Sequence, residues 1–209
     1  MRYVPTVRKA RAGDVSDAYG FNEAYKGVPP WEIGRPQGEF VRLEEAGRIG
    51  RSVLDVGCGT GELAIHLANT GHEVLGVDAA PLAIERAKAK AAERGSGAEF
   101  LVWDALDLAG LGRTFDTAVD SGVFHTFDDD QRARYASSLH AALKAGGVYH
   151  MMCFSEHEPG SWGPRRVTQA EIRATFDDGW RVEEIVEAAF ETNLETERVR
   201  AWRATIARG

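Results

Sequence analysis

Val53-Leu54-Asp55-Val56-Gly57-Cys58-Gly59-Thr60-Gly61-Glu62 is an apolar strand that runs straight into closely spaced glycines and then into a helix start. Glycines at such a corner permit positive φ. They also let main-chain N–H groups approach a bound molecule without Cβ interference, beside the positive end of a helix. The stretch therefore predicts a ligand held against the backbone, as nucleotide cofactors are. Its spacing narrows the choice, because a dinucleotide fingerprint reads GxGxxG or GxGxxA. Here Gly61 comes one residue early and Glu62 stands in the third position, where an acid repels a diphosphate unless its side chain points away.

Working outward, short β-branched runs alternate with helix-type segments from Ser52 onward, which predicts an α/β core over 51–209 behind a lead segment, 1–50, in a single domain. Strands are expected over Arg51–Val56, Glu73–Asp78, Glu99–Trp103, Phe115–Asp120 and Gly147–Phe154, with helices over Glu62–Asn69, Pro81–Arg94, Asp128–Leu143 and Gln169–Phe176. Pro81 suits the first turn of its helix and Gly71 supplies a stop. Two further strands, Trp180–Phe190 and Thr196–Ile206, joined through Thr192-Asn193, read as a hairpin, so a parallel sheet would end in an antiparallel strand.

Acids recur at the strand ends. Asp55, Asp78, Asp104 and Asp120 close four successive strands, and ligands of doubly wound sheets lie at those carboxyl ends. Each alone can be a helix cap or turn residue. Together with the glycine loop they predict a cofactor crevice, with Asp78, 17 residues after Gly61, suited to accept ribose hydroxyls.

D-V-G-C-G-T-G after a strand, then V-D-A-A-P, then W-D-A, resembles the class I S-adenosylmethionine-dependent methyltransferases across Arg51–Phe154 and, more loosely, to the end of the chain. The resemblance implies a Rossmann-like doubly wound sheet of seven strands, order 3-2-1-4-5-7-6 with strand seven antiparallel, and S-adenosylmethionine as cofactor. It implies that Asp55, Gly57 and Gly59 border the methionine end, Asp78 binds the ribose, Ala79 lies near the adenine face, and Asp104 with the Ala105 backbone meets the adenine. Asp120 is expected to face the same crevice. The string Pro29–Gln37, PPWEIGRPQ, resembles the small thiol, halide and thiopurine branch, in which an N-terminal helical lid closes over the cofactor. That resemblance puts Trp31 over the sulfonium, where an aromatic face stabilises a cation; the other reading is a core tryptophan anchoring the lead segment.

Methyl transfer from a sulfonium is an in-line displacement in which positioning is the main task. A general base matters for an alcohol or amine and hardly for a thiolate or phenolate. The acceptor wall is expected at Asp120–Phe127, where His125 is the histidine of the crevice loops, either a base or a stacking residue. Ser161–Arg166 forms either the opposite lip, contacting an anionic substrate, or a solvated loop. The acceptor is expected to be a small molecule, a thiol or an acidic heteroaromatic hydroxyl. An NAD-type oxidoreductase and a cofactor-binding module without catalysis stand as alternatives.

The 209 residues carry 25 Lys plus Arg against 32 Asp plus Glu, a net charge of −7, which disfavours nucleic acid as a partner. The sequence has no apolar run of membrane-span length and no signal-peptide pattern in Met1–Ala12, so a cytoplasmic location is expected. Cys58 and Cys153 lack metal-site spacing, and no metal is expected. Turnover should persist in chelator; loss of activity that magnesium restores overturns this.

Overall fold

The computed structural model describes residues 20–194 and 198–209. After α1 (Phe21–Ala24) and α2 (Gly38–Glu45) come β1 (Ser52–Val56), α3 (Glu62–Asn69), β2 (Glu73–Asp78), α4 (Pro81–Glu93) and β3 (Glu99–Val102). A 3₁₀ segment, Ala105–Leu111, leads to β4 (Phe115–Ser121), and a second, Phe124–Thr126, to α5 (Asp129–Ala142). The chain finishes with β5 (Leu143–Phe154), α6 (Gln169–Thr175), β6 (Trp180–Glu191) and β7 (Arg198–Arg208). The strands form one sheet of order β3-β2-β1-β4-β5-β7-β6, with β7 antiparallel to β5 and to β6. This is the expected architecture. β5 starts earlier than expected, because Leu143 already pairs with Phe115 before the register shifts to Thr117 and Val148. The first residues of the expected last strand lie outside the described residues.

Apolar residues occupy both faces of β1, as a strand covered on two sides requires. On one face Val53, Val74, Val119 and Met152 pack with Leu63, Ile65 and Leu67 of α3 and Ile84 and Ala87 of α4. On the other, Leu54, Val56, Leu75 and Tyr149 pack with Tyr135 and Leu139 of α5 and Ile172 of α6. The acids at the strand ends obey the same alternation. Asp55 pairs in register with Gly76 and Val119, so it shares the α3/α4 face, and Asp78, two residues past Gly76, does too. Asp120 pairs with Val56 and faces α5.

The lead segment is not uniform. Phe40 and Leu43 of α2 are buried in the cluster that contains Val53, Leu63 and Ile65, so α2 belongs to the core and residue 50 marks no packing boundary. Only the part before α2 lies over the carboxyl ends of the strands; residues 1–19 of the expected lid fall outside the described residues.

Asp120 anchors the turn after β4. Its carboxylate is fully buried and accepts from Val123 N (2.6 Å), Phe124 N (3.1 Å), the Tyr135 hydroxyl (3.0 Å) and the Tyr149 hydroxyl (2.7 Å). Burial raises its pKa to about 6 against the pull of those donors. Tyr149→Phe should cost about 1–3 kcal/mol by leaving a buried carboxylate short of a donor. Tyr135→Phe should add less than its own cost to that variant, because both serve one oxygen. Urea unfolding of the two single variants and the double variant measures both effects.

Candidate active site

The glycine loop is closed in by its neighbours. A Cβ at Gly57 (φ +67) would lie 2.1 Å from Val123 Cγ2, and one at Gly59 (φ +54) 2.8 Å from the Tyr25 hydroxyl. Both positions thus need glycine for backbone angle and for space. Glu62 points away from the crevice, paired with Lys90 (2.5 Å) and Arg94 (2.8 Å). Burial raises its pKa, but these cations outweigh that and leave it lowered.

Two carboxylates stand under the loop. Asp55 is 2% exposed; its Oδ2 atom has no hydrogen-bond partner, and its carboxyl is pushed up to about 7 by burial and by the charges of Asp120 and Asp78. Asp78 accepts from Gly59 N (2.9 Å) and Ala80 N (2.8 Å), which ties the loop to the end of β2; burial raises its pKa. Ala79 follows, half-buried. Asp104 caps the 3₁₀ turn that begins at Ala105, accepting from Leu106 N (2.9 Å). Asp120 differs from the other three: its carboxylate faces α5 and is engaged with four donors, so it holds the turn after β4. Asp55, Asp78 and Asp104 lie at or just past the ends of β1, β2 and β3.

The Pro29–Glu32 turn covers the loop. Trp31 Nε1 donates to the Tyr25 hydroxyl (3.0 Å), and its ring meets Phe21 and Tyr25 edge-on at 6.1 and 6.2 Å. Trp31 is 40% exposed, so it is not a core anchor. Tyr25 is the residue beneath it, and its burial, with the nearby Asp78 charge, raises its pKa and keeps the hydroxyl protonated. Thr60 donates to Glu32 (2.5 Å) and accepts from Lys90 (2.6 Å), fastening the turn to the glycine loop.

The opposite wall is aromatic. His125 packs edge-on against Phe154 (4.8 Å) and Phe190 (5.8 Å), and Phe154 against Trp162 (5.6 Å). Phe154 N donates to His125 Nδ1 (3.0 Å), which fixes the neutral ring as the Nε2–H tautomer. A Cβ at Gly122 would lie 3.4 Å from that Nε2, so the ring edge borders the end of β4. Burial and the positive charges of Arg132 and Arg166 lower the His125 pKa to about 3. With its lone pair engaged, His125 is a donor; the arrangement disagrees with a general base. Arg166 does not reach outward as expected of a lip cation. It donates to the carbonyls of Glu158, Pro159, Trp162 and Pro164 and lies over the Phe154 and Trp162 rings, while Arg165 pairs with Asp129 and Glu171. Reading the sequence placed Val123 only as part of the Asp120–Phe127 wall and did not single out Phe154 or Phe190. Their only mark was an apolar residue beside a strand end.

Residues 53–147 match the model of a methyltransferase domain. The 2-heptyl-1-hydroxyquinolin-4(1H)-one methyltransferase of Mycobacteroides abscessus is 36% identical over 184 residues, 83% of this chain and 81% of that protein. The chain belongs to the class I S-adenosylmethionine-dependent methyltransferases. A probable thiol methyltransferase 2 of Arabidopsis thaliana is 27% identical over 154 residues, 69% of this chain and 65% of the relative. A solved structure concerned with conversion of a disulfide bond into a thioacetal group during echinomycin biosynthesis superposes with a TM-score of 0.83, at 37% identity and 90% coverage of both chains. A methyltransferase structure from Anabaena variabilis, 17% identical, shares the fold with a TM-score of 0.76 over 99% of this chain and 98% of the other. Membership of this family sets aside the oxidoreductase and the non-catalytic module.

The cofactor of this methyltransferase is S-adenosylmethionine, and the residues present fit it. The unpartnered Asp55 oxygen suits an ammonium, and the glycine loop gives main chain a close approach. No described helix is long and apolar enough to cross a membrane. Because the folded-state pKa of Asp55 lies above its unfolded value, the ligand-free methyltransferase should lose stability as pH rises from about 4 to about 7. Asp55→Asn should therefore raise the melting temperature at pH 8 but not at pH 4, while weakening S-adenosylhomocysteine binding by about 1.5–3 kcal/mol, the range for a hydrogen bond to a charged group. Calorimetric melts and titrations at both pH values check this.

Proposed function

We propose that this methyltransferase methylates the oxygen of an acidic hydroxyl on a small, planar heteroaromatic molecule that binds as its anion. The observation that carries the reading is His125, an N–H donor without basicity set among the rings of Phe154 and Phe190. Flat aromatic walls favour a ring, and offset or edge-on packing of such rings contributes about 0.5–1.5 kcal/mol per pair beyond burial. The 36% identical hydroxyquinolinone methyltransferase acts on a molecule of this kind. A sulfur acceptor is the second reading, favoured by the 37% identical structure associated with thioacetal formation.

When bound, the cofactor supplies an electrophilic methyl group on a sulfonium. The chain's part is to hold the acceptor in line, with the His125 Nε2–H donating to it. No proton needs to leave for the protein, since an anion is already a nucleophile. Tyr25 and Trp31, over the glycine loop, exclude water from the reacting end. Asp55 and Asp78 put carboxylates on the cofactor's side, and Arg132 and Arg166 put positive charges near His125, adding to the burial that already lowers its basicity.

A panel of hydroxyquinolinones, aryl thiols and halide should give highest turnover with the hydroxyquinolinones. Across acceptors of different acidity, kcat/KM should rise with pH through each acceptor's own pKa and then level. A profile that follows one enzyme group near 6.5 for every acceptor would instead make His125 a base. His125→Ala should lower kcat on the order of 10²-fold, the scale of one lost anion-stabilising donor, and leave S-adenosylhomocysteine affinity unchanged.

A further inference from the structure

The turn that carries Trp31 is held from two sides. On the cofactor side Thr60 bonds Glu32, and Arg86 donates to the Gly27 carbonyl (3.0 Å). On the other side the contacts come from the tip of the β6–β7 hairpin, more than 150 residues away in sequence. Asn193 Nδ2 donates to the carbonyls of Pro29 (3.0 Å) and Glu32 (3.3 Å), and Asn193 N donates to that of Pro30 (3.0 Å). One residue thus engages three of the four carbonyls of Pro29–Glu32. Just outside the turn, Gln37 exchanges two bonds with the Glu191 main chain (2.9 and 2.8 Å), which keeps the hairpin in place beside it.

These bonds join two parts of the site. β6 presents Phe190 to His125, three residues before Asn193. The turn presents Trp31, which donates to Tyr25, whose hydroxyl is packed against Gly59, and Gly59 N donates to Asp78. Bonds and packing therefore run from Asn193 through the turn and Trp31 to the glycine loop and Asp78, while the strand that carries Phe190 leads into Asn193. Pro29 and Pro30 have no N–H to offer, so the turn cannot be held by donation from its first two residues. Within the turn Glu32 N donates to the Pro29 carbonyl (3.0 Å), and the Asn193 donors add the hold from the hairpin side.

We propose that Asn193 is a positioning residue for methyl transfer: through its side-chain amide it holds the Pro29–Glu32 turn so that Trp31 and Tyr25 stay over the cofactor. The inference rests on the reading of Trp31 as a cover and is independent of which acceptor is used. Since Asn193 is exposed, replacing it opens no cavity, and the main-chain bond to Pro30 survives any substitution that keeps the backbone.

The test follows release of labelled S-adenosylhomocysteine after an unlabelled chase, in the full chain. Asn193→Ala should speed release about tenfold, the equivalent of about 1.4 kcal/mol if association is unchanged. Asn193→Asp should speed it at least as much, because a carboxylate would face the Pro29 and Glu32 carbonyls; a role that needed only the side chain's bulk would make aspartate the milder change. In a Trp31→Ala background, Asn193→Ala should have no further effect, since the residue it acts through is gone. Melting temperatures should stay close to that of the parent. Wild-type release rates in Asn193→Ala, a milder effect of aspartate, full additivity with Trp31→Ala, or a loss of cofactor binding that only tracks a fall in melting temperature would each overturn the proposal. Failure of the hydroxyquinolinone panel would leave every one of these measurements intact.

Discussion

The carboxylate of Asp120 ties the turn after β4 to α5 and β5. It is buried without a cation and is kept in the fold by four donors, two from the main chain of the following turn and two from tyrosines on α5 and β5. A buried carboxylate is costly unless its lone pairs are met, so the turn has little freedom to open. That turn sets Val123 against Gly57 and brings His125 to the Phe154 N–H. The glycine at 57 and the tautomer at 125 are both consequences of how Asp120 is satisfied.

The strands and most helices were legible from periodicity, because a sheet covered on both faces needs continuous apolar runs and its helices need small or branched residues at three- and four-residue intervals. The glycine loop was legible because few other backbones need glycine at that spacing. What the sequence could not show was parity. Asp120 pairs with Val56, one position past the pair of Asp55 with Val119, so its carboxylate turns toward α5 while that of Asp55 faces α3 and α4. Two aspartates near strand ends look alike until the register is known.

The same limit applies to partners distant along the chain. His125 reads as a possible base by type and loop position, but the group that decides its protonation is an N–H 29 residues later, brought alongside by the pairing of β4 with β5. Trp31 stood out because prolines and an aromatic sit together in a turn, and its reading as a cover came from the resemblance of Pro29–Gln37 to the thiol, halide and thiopurine branch. Asn193 read only as a hairpin turn residue; its partners lie beyond 160 positions away. Arg166 looked like an anion contact because cations in loops often are, yet its bonds to four carbonyls fold the loop around it.

The distribution of charge gives the proposed chemistry its physical sense. Asp55 and Asp78 lie on the side proposed for the cationic cofactor, and the charge on each is disfavoured by desolvation in the ligand-free protein. On the side proposed for an anionic acceptor, burial first and then the Arg132 and Arg166 charges suppress protonation of His125. Bringing a sulfonium and an aryl oxide together and moving a methyl between them removes both charges. In water that loss is opposed, because both ions are well solvated. In the site proposed between Phe154 and Phe190 on one side and Tyr25 and Trp31 on the other, the attraction between opposite charges would be screened far less, and the ions would keep only the fixed donors and acceptors the protein supplies. The methylated acceptor is then neutral and has less hold on a wall suited to its anion, whereas S-adenosylhomocysteine keeps the ammonium and ribose of the cofactor, so the loss of charge favours release of the acceptor product first.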